Sequence, residues 1–122
     1  MIPLNKSLKL LLVPAAVVLI FVGVAWAHAI LVASNPEANS IVNGPKIDVV
    51  LKFNVRIDAT RSVLRLVGND GDRRSLSLQA GQASNEIQAS AGDVRPGKYK
   101  LFWQVLASDG HITRGEVPFS AR

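Results

Sequence analysis

Tyr99, Leu101, Trp103 and Val105 fall at every second position of one run, and a period of two is the signature of a β-strand with one buried face. The same alternation returns in short runs along the chain, and residues that favour turns separate them. After residue 27 no segment has helical periodicity. A chain of this texture has to bury its apolar faces sheet against sheet.

The runs can be followed in order. Ala29–Ala33 reads as an opening strand, and Asn35-Pro36 stops it, because proline has no N–H for a ladder and biases its predecessor away from helix. A polar loop follows and closes on Asn43-Gly44-Pro45. Ile47, Val49, Leu51 and Phe53 then alternate with Asp48, Val50 and Lys52, and Leu64 and Leu66 continue the pattern opposite Arg61, Val63 and Arg65. Gly68-Asn69-Asp70-Gly71-Asp72 is a hairpin turn, since Asp-Gly tolerates the positive φ of a tight turn. Its acids do not make a calcium loop, because the further ligands and the closing glutamate are missing. Leu76 and Leu78 are placed on the return strand, and Ile87 marks another short one. Arg95-Pro96-Gly97 turns the chain into the Tyr99–Val105 run, with Phe102 on the opposite face, and Ile112–Ala121 closes the chain with Val117 and Phe119 inward. About seven short strands at this spacing predict an all-β fold, a small antiparallel β-sandwich or barrel with Greek-key connections.

Residues 1–27 carry a different pattern. Lys6 and Lys9 precede an apolar run from Leu10 to Ala27, which ends in Ala25-Trp26-Ala27. These are the three parts of an export signal. The run is 18 residues long, near the lower limit for a membrane-spanning helix, so an uncleaved anchor is the competing reading. Cleavage after Ala27 is favoured, because Ala-x-Ala closes the run and strand-like sequence follows with no basic stop-transfer cluster. Ala27-His28-Ala29 is a second Ala-x-Ala, and a cut after Ala29 would discard His28. The expected organisation is a signal peptide over 1–27 and one domain over 28–122.

Removal of residues 1–27 leaves 95 of 122 residues, enough for one core without a staple. There is no cysteine, so disulfides, thiolate metal sites and cysteine nucleophiles are excluded. Of 14 Lys and Arg, Lys6 and Lys9 leave with the signal; the remaining 12 against 9 acids give a net charge of +3. Arg56, Arg61, Arg65, Arg73, Arg74 and Arg95 are interspersed with acids and lack interleaved aromatics, so the sequence predicts a spread, solvated charge and no nucleic-acid partner.

The chain has only two histidines, His28 and His111. Cleavage after Ala27 makes His28 the first residue, and His111 lies in the turn Ala107-Ser108-Asp109-Gly110-His111. A free N-terminal histidine offers its α-amine and ring Nδ1 to one ion, and the amine reference pKa of about 8 makes its deprotonation easy near neutral pH. With the Asp109 carboxylate and the His111 ring the set is rich in nitrogen. Copper(II) favours a tetragonal arrangement of such donors and heads the divalent affinity order; zinc is the competitor. Copper(I) favours soft sulfur, and the only methionine is Met1. Gly110, without a Cβ, allows the tight path that aims Asp109 and His111 at one ion. The candidate ligands of a single copper(II) site are therefore His28, Asp109 and His111.

His28-Ala29, Ser34-Asn35-Pro36, the Ile47–Phe53 run, Pro96-Gly97-Lys98-Tyr99, Trp103, Ser108-Asp109-Gly110-His111 and Gly115-Glu116-Val117-Pro118-Phe119 together resemble the CopC-type copper-resistance proteins over essentially all of residues 28–122. The resemblance implies an Ig-like β-sandwich exported to the periplasm that binds copper(II) tightly. The implied roles are His28 through amine and ring, Asp109 through its carboxylate and His111 through its ring. It also implies a CopD-type inner-membrane copper transport protein as partner. Two departures stand out. The methionine-rich, histidine-bearing copper(I) loop of some members is missing, and where some members read Phe-Ser-Glu at the end of the second strand, this chain reads Phe53-Asn54-Val55 and has no acid.

A binding protein that sequesters copper(II) or hands it on, without turnover, is the leading function. An oxidative copper enzyme with a histidine-brace site is the enzymatic alternative, disfavoured by the small size and the few aromatics left for a sugar platform. A metal-free Ig-like interaction module is the third, and it makes both histidines incidental.

Overall fold

Alternating apolar runs pair into sheets as the sequence predicts. The computed structural model describes residues 28–122; the apolar run and the expected cleavage after Ala27 lie outside them. The strands are β1 (Leu31–Asn35), β2 (Ile41–Val42), β3 (Ile47–Phe53), β4 (Ile57–Gly68), β5 (Arg73–Ser75), β6 (Gln79–Ala80), β7 (Glu86–Ala91), β8 (Gly97–Ala107) and β9 (Ile112–Ala121). One sheet has the order β1-β3-β7-β6 and the other β2-β9-β8-β4-β5. The chain crosses between sheets at β1–β2, β2–β3, β3–β4, β5–β6 and β7–β8, so two layers enclose one core. This is the all-β sandwich expected from the sequence, and a sandwich rather than a closed barrel.

The core comes from the inward positions of both layers. Ile47, Val49, Leu51 and Phe53 of β3 are buried, as are Leu64 and Leu66 of β4, Ile87 of β7, Leu101, Trp103 and Val105 of β8, and Val117 and Phe119 of β9. Phe53 and Trp103 meet edge to face, with centroids 5.1 Å apart and planes at 70°, one from each sheet. Tyr99 stacks on Phe119 and donates its hydroxyl to the Arg95 carbonyl at 2.6 Å, the tie of a tyrosine corner in Greek-key sandwiches.

The Trp103 indole lies directly over Gly115, its partner across the β8–β9 ladder. A Cβ at position 115 would collide with the six-membered ring, which is held between strands and cannot swing away. Gly115→Ala is expected to destabilise the domain by ~1–3 kcal/mol, the usual result of overpacking. Thermal unfolding followed by circular dichroism should show a clear drop in midpoint; an unchanged midpoint would mean the indole has room.

Five expectations need correction. β1 runs Leu31–Asn35 rather than Ala29–Ala33, because the Ile30 N–H is taken by the Asn54 side chain instead of a ladder carbonyl, and pairing with β3 starts at Leu31. Leu76 and Leu78 are not in the return strand. β5 ends at Ser75, and the segment holding these leucines crosses to the other sheet, packing both side chains on the core. β2 runs parallel to β9, so the sheets are not purely antiparallel. The two-residue strands β2 and β6 raise the count from about seven to nine.

The fifth correction concerns charge. Arg65, Arg73, Lys98, Lys100 and Arg114 all occupy outward positions of β4, β5, β8 and β9, against two acids, Glu116 and Asp58, of which Asp58 is paired with Arg61. The outer face of β3 and β7 carries Asp48, Lys52 and Glu86. The positive charge is therefore gathered on one layer. It looks spread in the sequence because its members sit on four strands that only the fold makes neighbours.

Candidate metal centre

The β8–β9 turn carries two of the three candidate ligands. β8 and β9 pair down to Leu106 opposite Ile112. The turn is then closed by two backbone bonds, Ala107 N–H to His111 O and Gly110 N–H to Ala107 O, both at 2.9 Å. Gly110 has φ +89°, in the left-handed region that a side chain disfavours. This is the tight path expected of that glycine. The Asp109 carboxylate grips the next turn residue twice: Oδ1 accepts the His111 backbone N–H at 3.0 Å, and Oδ2 lies 3.1 Å from His111 Nδ1. The backbone bond from His111 is the main cause that holds the Asp109 carboxyl below the ordinary carboxylate range. The sign follows directly: the anion and its grip on His111 are intact at neutral pH and are lost only as pH falls below that range.

His28, from the far end of the described chain, lies beside this turn. Its ring centroid is 6.0 Å from that of His111, with the planes at 68°. With metal–nitrogen bonds of ~2 Å, two imidazoles on opposite sides of one ion place their centroids roughly 6 Å apart. The spacing therefore suits two rings sharing an ion. Among the described residues, no three His, Cys, Asp or Glu side chains already converge on one point. While residue 27 is attached, the His28 backbone nitrogen is an amide, a poor metal donor near neutral pH. The structure brings His28, Asp109 and His111 to one end of the sandwich, with Asp109 directly on His111.

A residue that the sequence did not single out as functional ties the two halves together. Asn54, in the β3–β4 connection, accepts the Ile30 N–H on its side-chain Oδ1 at 2.7 Å and donates its own backbone N–H to the Ile30 carbonyl at 3.0 Å. Two residues on, the Arg56 carbonyl accepts the Ser108 N–H at 3.1 Å. Three consecutive residues thus clip the chain before β1 on one side and the β8–β9 turn on the other. An aspartate at position 54 would offer the Ile30 N–H the same kind of side-chain oxygen. Asn54→Ala is expected to weaken metal binding about tenfold, the lower end of the usual cost of losing an outer-shell partner, while Asn54→Asp keeps the acceptor and most of the affinity. Titrating both variants with copper(II) checks this; equal losses would mean that the oxygen is not what matters.

Comparison with known proteins adds an independent finding. A family model described as "CopC domain" matches residues 31–122. The Escherichia coli (strain K12) protein named "Protein YobA" is 28% identical over 100 residues, covering 80% of this chain and 81% of its own. "Copper resistance protein C" of Xanthomonas campestris pv. juglandis is 24% identical over 106 residues, covering 80% of this chain and 83% of its own. Among solved structures, that of CopC from Methylosinus trichosporium OB3b superposes with a TM-score of 0.68 at 28% identity, covering 77% of this chain and 93% of that one.

Proposed function

Because the chain belongs to the CopC domain family, we propose that it is an exported copper(II)-binding protein that holds one ion at the end of the sandwich where its two histidines meet. The observation that carries this reading is the approach of His28 to the turn holding Asp109 and His111, the two rings 6.0 Å apart. In this reading residues 1–27 are a signal peptide removed on export to the periplasm, and the domain is 28–122. The free His28 amine and ring, the Asp109 carboxylate and the His111 ring are the ligands. With Asp109 Oδ1 bonded to the His111 N–H, the carboxylate would have Oδ2 to offer to the ion.

Such a donor set favours oxidised copper, and a processed chain with neither methionine nor cysteine has no soft sulfur to hold copper(I). Four donors around one ion leave little room for a substrate, so the protein acts as a carrier or store and not as a catalyst. A CopD-type inner-membrane copper transport protein is the partner to which it hands the ion.

The test is optical. Trp26 departs with the signal, leaving Trp103 as the sole tryptophan. Copper(II) titration of the processed protein should quench its emission with an end point at one equivalent. His111→Ala should weaken binding far more than Glu37→Ala, an exposed acid remote in sequence from the turn. Equal effects, or no uptake of copper, would overturn the assignment.

A further inference from the structure

We infer that the outer face of the β2-β9-β8-β4-β5 sheet docks on an anionic phospholipid surface. Five cations project from it: Arg73 on β5, Arg65 on β4, Lys98 and Lys100 on β8, and Arg114 on β9. The two acids on these strands' outer face are each occupied by a cation, Glu116 by Lys100 and Asp58 by Arg61, both at 3.8 Å. Arg114 bonds the neutral Gln104 at 2.7 Å, which leaves its charge uncompensated. With Asp58 offset by Arg61, the five cations against Glu116 leave this face at +4, more than the net +3 of residues 28–122, while the opposite face, with Asp48 and Glu86 against Lys52, is slightly negative. The molecule is therefore polarised across its thin dimension, and a long-range field of this kind orients a protein toward an anionic surface before contact.

The layout points to a surface rather than to a narrow acidic segment. The cations lie on four adjacent strands, roughly 14 Å across at the usual strand spacing. An extended peptide following one strand would meet one or two of them. A sheet of headgroups meets them all. At the centre, Phe102 and Val63 stand 40% and 39% exposed among the arginines, above a cleft of about 420 Å3. An apolar centre within a basic rim is the pattern of proteins that lie on membranes, the cations at the phosphates and the aromatic at the acyl boundary. The β8–β9 turn with Asp109 and His111 sits at the margin of this face, three residues from Arg114. Docking would hold that turn at the membrane surface without covering it. The inference stands on charge and shape alone and does not depend on copper binding.

The experiment is co-sedimentation of the processed, copper-free protein with vesicles of phosphatidylcholine, with and without phosphatidylglycerol. Binding is expected to the anionic vesicles alone and to vanish at high salt. Arg65→Glu with Arg73→Glu should lower the partition coefficient by more than about tenfold, whereas Lys52→Glu, on the opposite face, should leave it unchanged. Trp103 emission and copper titration of each variant confirm that fold and metal site are intact. Equal binding to neutral vesicles, or equal loss with Lys52→Glu, would overturn the inference. So would failure to bind anionic vesicles, and binding instead to soluble polyglutamate would transfer the face to an acidic protein partner.

Discussion

Adding one residue ahead of His28, or replacing His28 by alanine, is expected to lower copper(II) affinity by more than about a hundredfold, since even outer-shell changes at metal sites cost 10–100-fold. The two changes remove different donors. An extra residue keeps the imidazole but converts the α-amine to an amide, which does not give up its proton readily near neutral pH. His28→Ala keeps the amine but opens the chelate ring. Neither should disturb the copper-free fold, because His28 is exposed and regular pairing begins only at Leu31. Melting of the apo variants should match the parent, while the rise in midpoint on adding copper(II), which follows ligand affinity by mass action, should shrink in both. An extended chain that bound copper(II) as tightly as the processed one would show that the amine is not a ligand.

Phe53→Ala is expected to be the most damaging single truncation in the core. Phe53 is fully buried and ends β3, and its ring makes the edge-to-face contact with Trp103 that joins the two sheets. Removing a buried phenylalanine costs ~3–5 kcal/mol, a large share of the ~5–15 kcal/mol that holds a domain together. For a domain of this size the midpoint should fall by roughly 15–30 °C. Phe102→Ala, one position from Trp103 but on the outer face, should change stability by ~0.5 kcal/mol or less. The contrast separates burial from residue type. Because Phe53 immediately precedes Asn54, copper affinity of the folded fraction should also fall. Equal melting of the two variants would contradict the assignment of inner and outer faces.

Most of this fold was legible in the sequence because side-chain alternation is a local signal. Ile47–Phe53 and Ile112–Ala121 have the boundaries that their patterns predict, and the Gly68–Asp72 turn forms with Gly71 at φ +90°. Leu76 and Leu78 misled because alternation shows which residues seek the core but not which sheet they approach it from. The parallel pairing of β2 with β9 involves two residues of each strand, too few to leave a pattern. The charged face was invisible for a related reason. Arg65, Arg73, Lys98, Lys100 and Arg114 each have outward parity, yet only the strand order β9-β8-β4-β5 makes them one surface.

The candidate site was half legible. Asp109-Gly110-His111 could be read as a tight turn, and the scarcity of histidine directed attention to His28. What could not be read was the clip, since Asn54 and Arg56 act on Ile30 and Ser108 through contacts that span 24 and 52 positions of sequence. The clip gives the turn and the start of β1 a shared anchor on the β3–β4 connection, which makes a site built from both ends of the domain physically reasonable.

The central claim is that the metal site is completed by cleavage. Native mass spectrometry of the protein recovered from the exported fraction after exposure to copper(II) tests it in one spectrum. The predicted result is a chain beginning at His28 and carrying one copper ion. A chain beginning at Ile30 or at Met1 that carries the same tightly held ion would contradict it, as would a chain beginning at His28 that carries none.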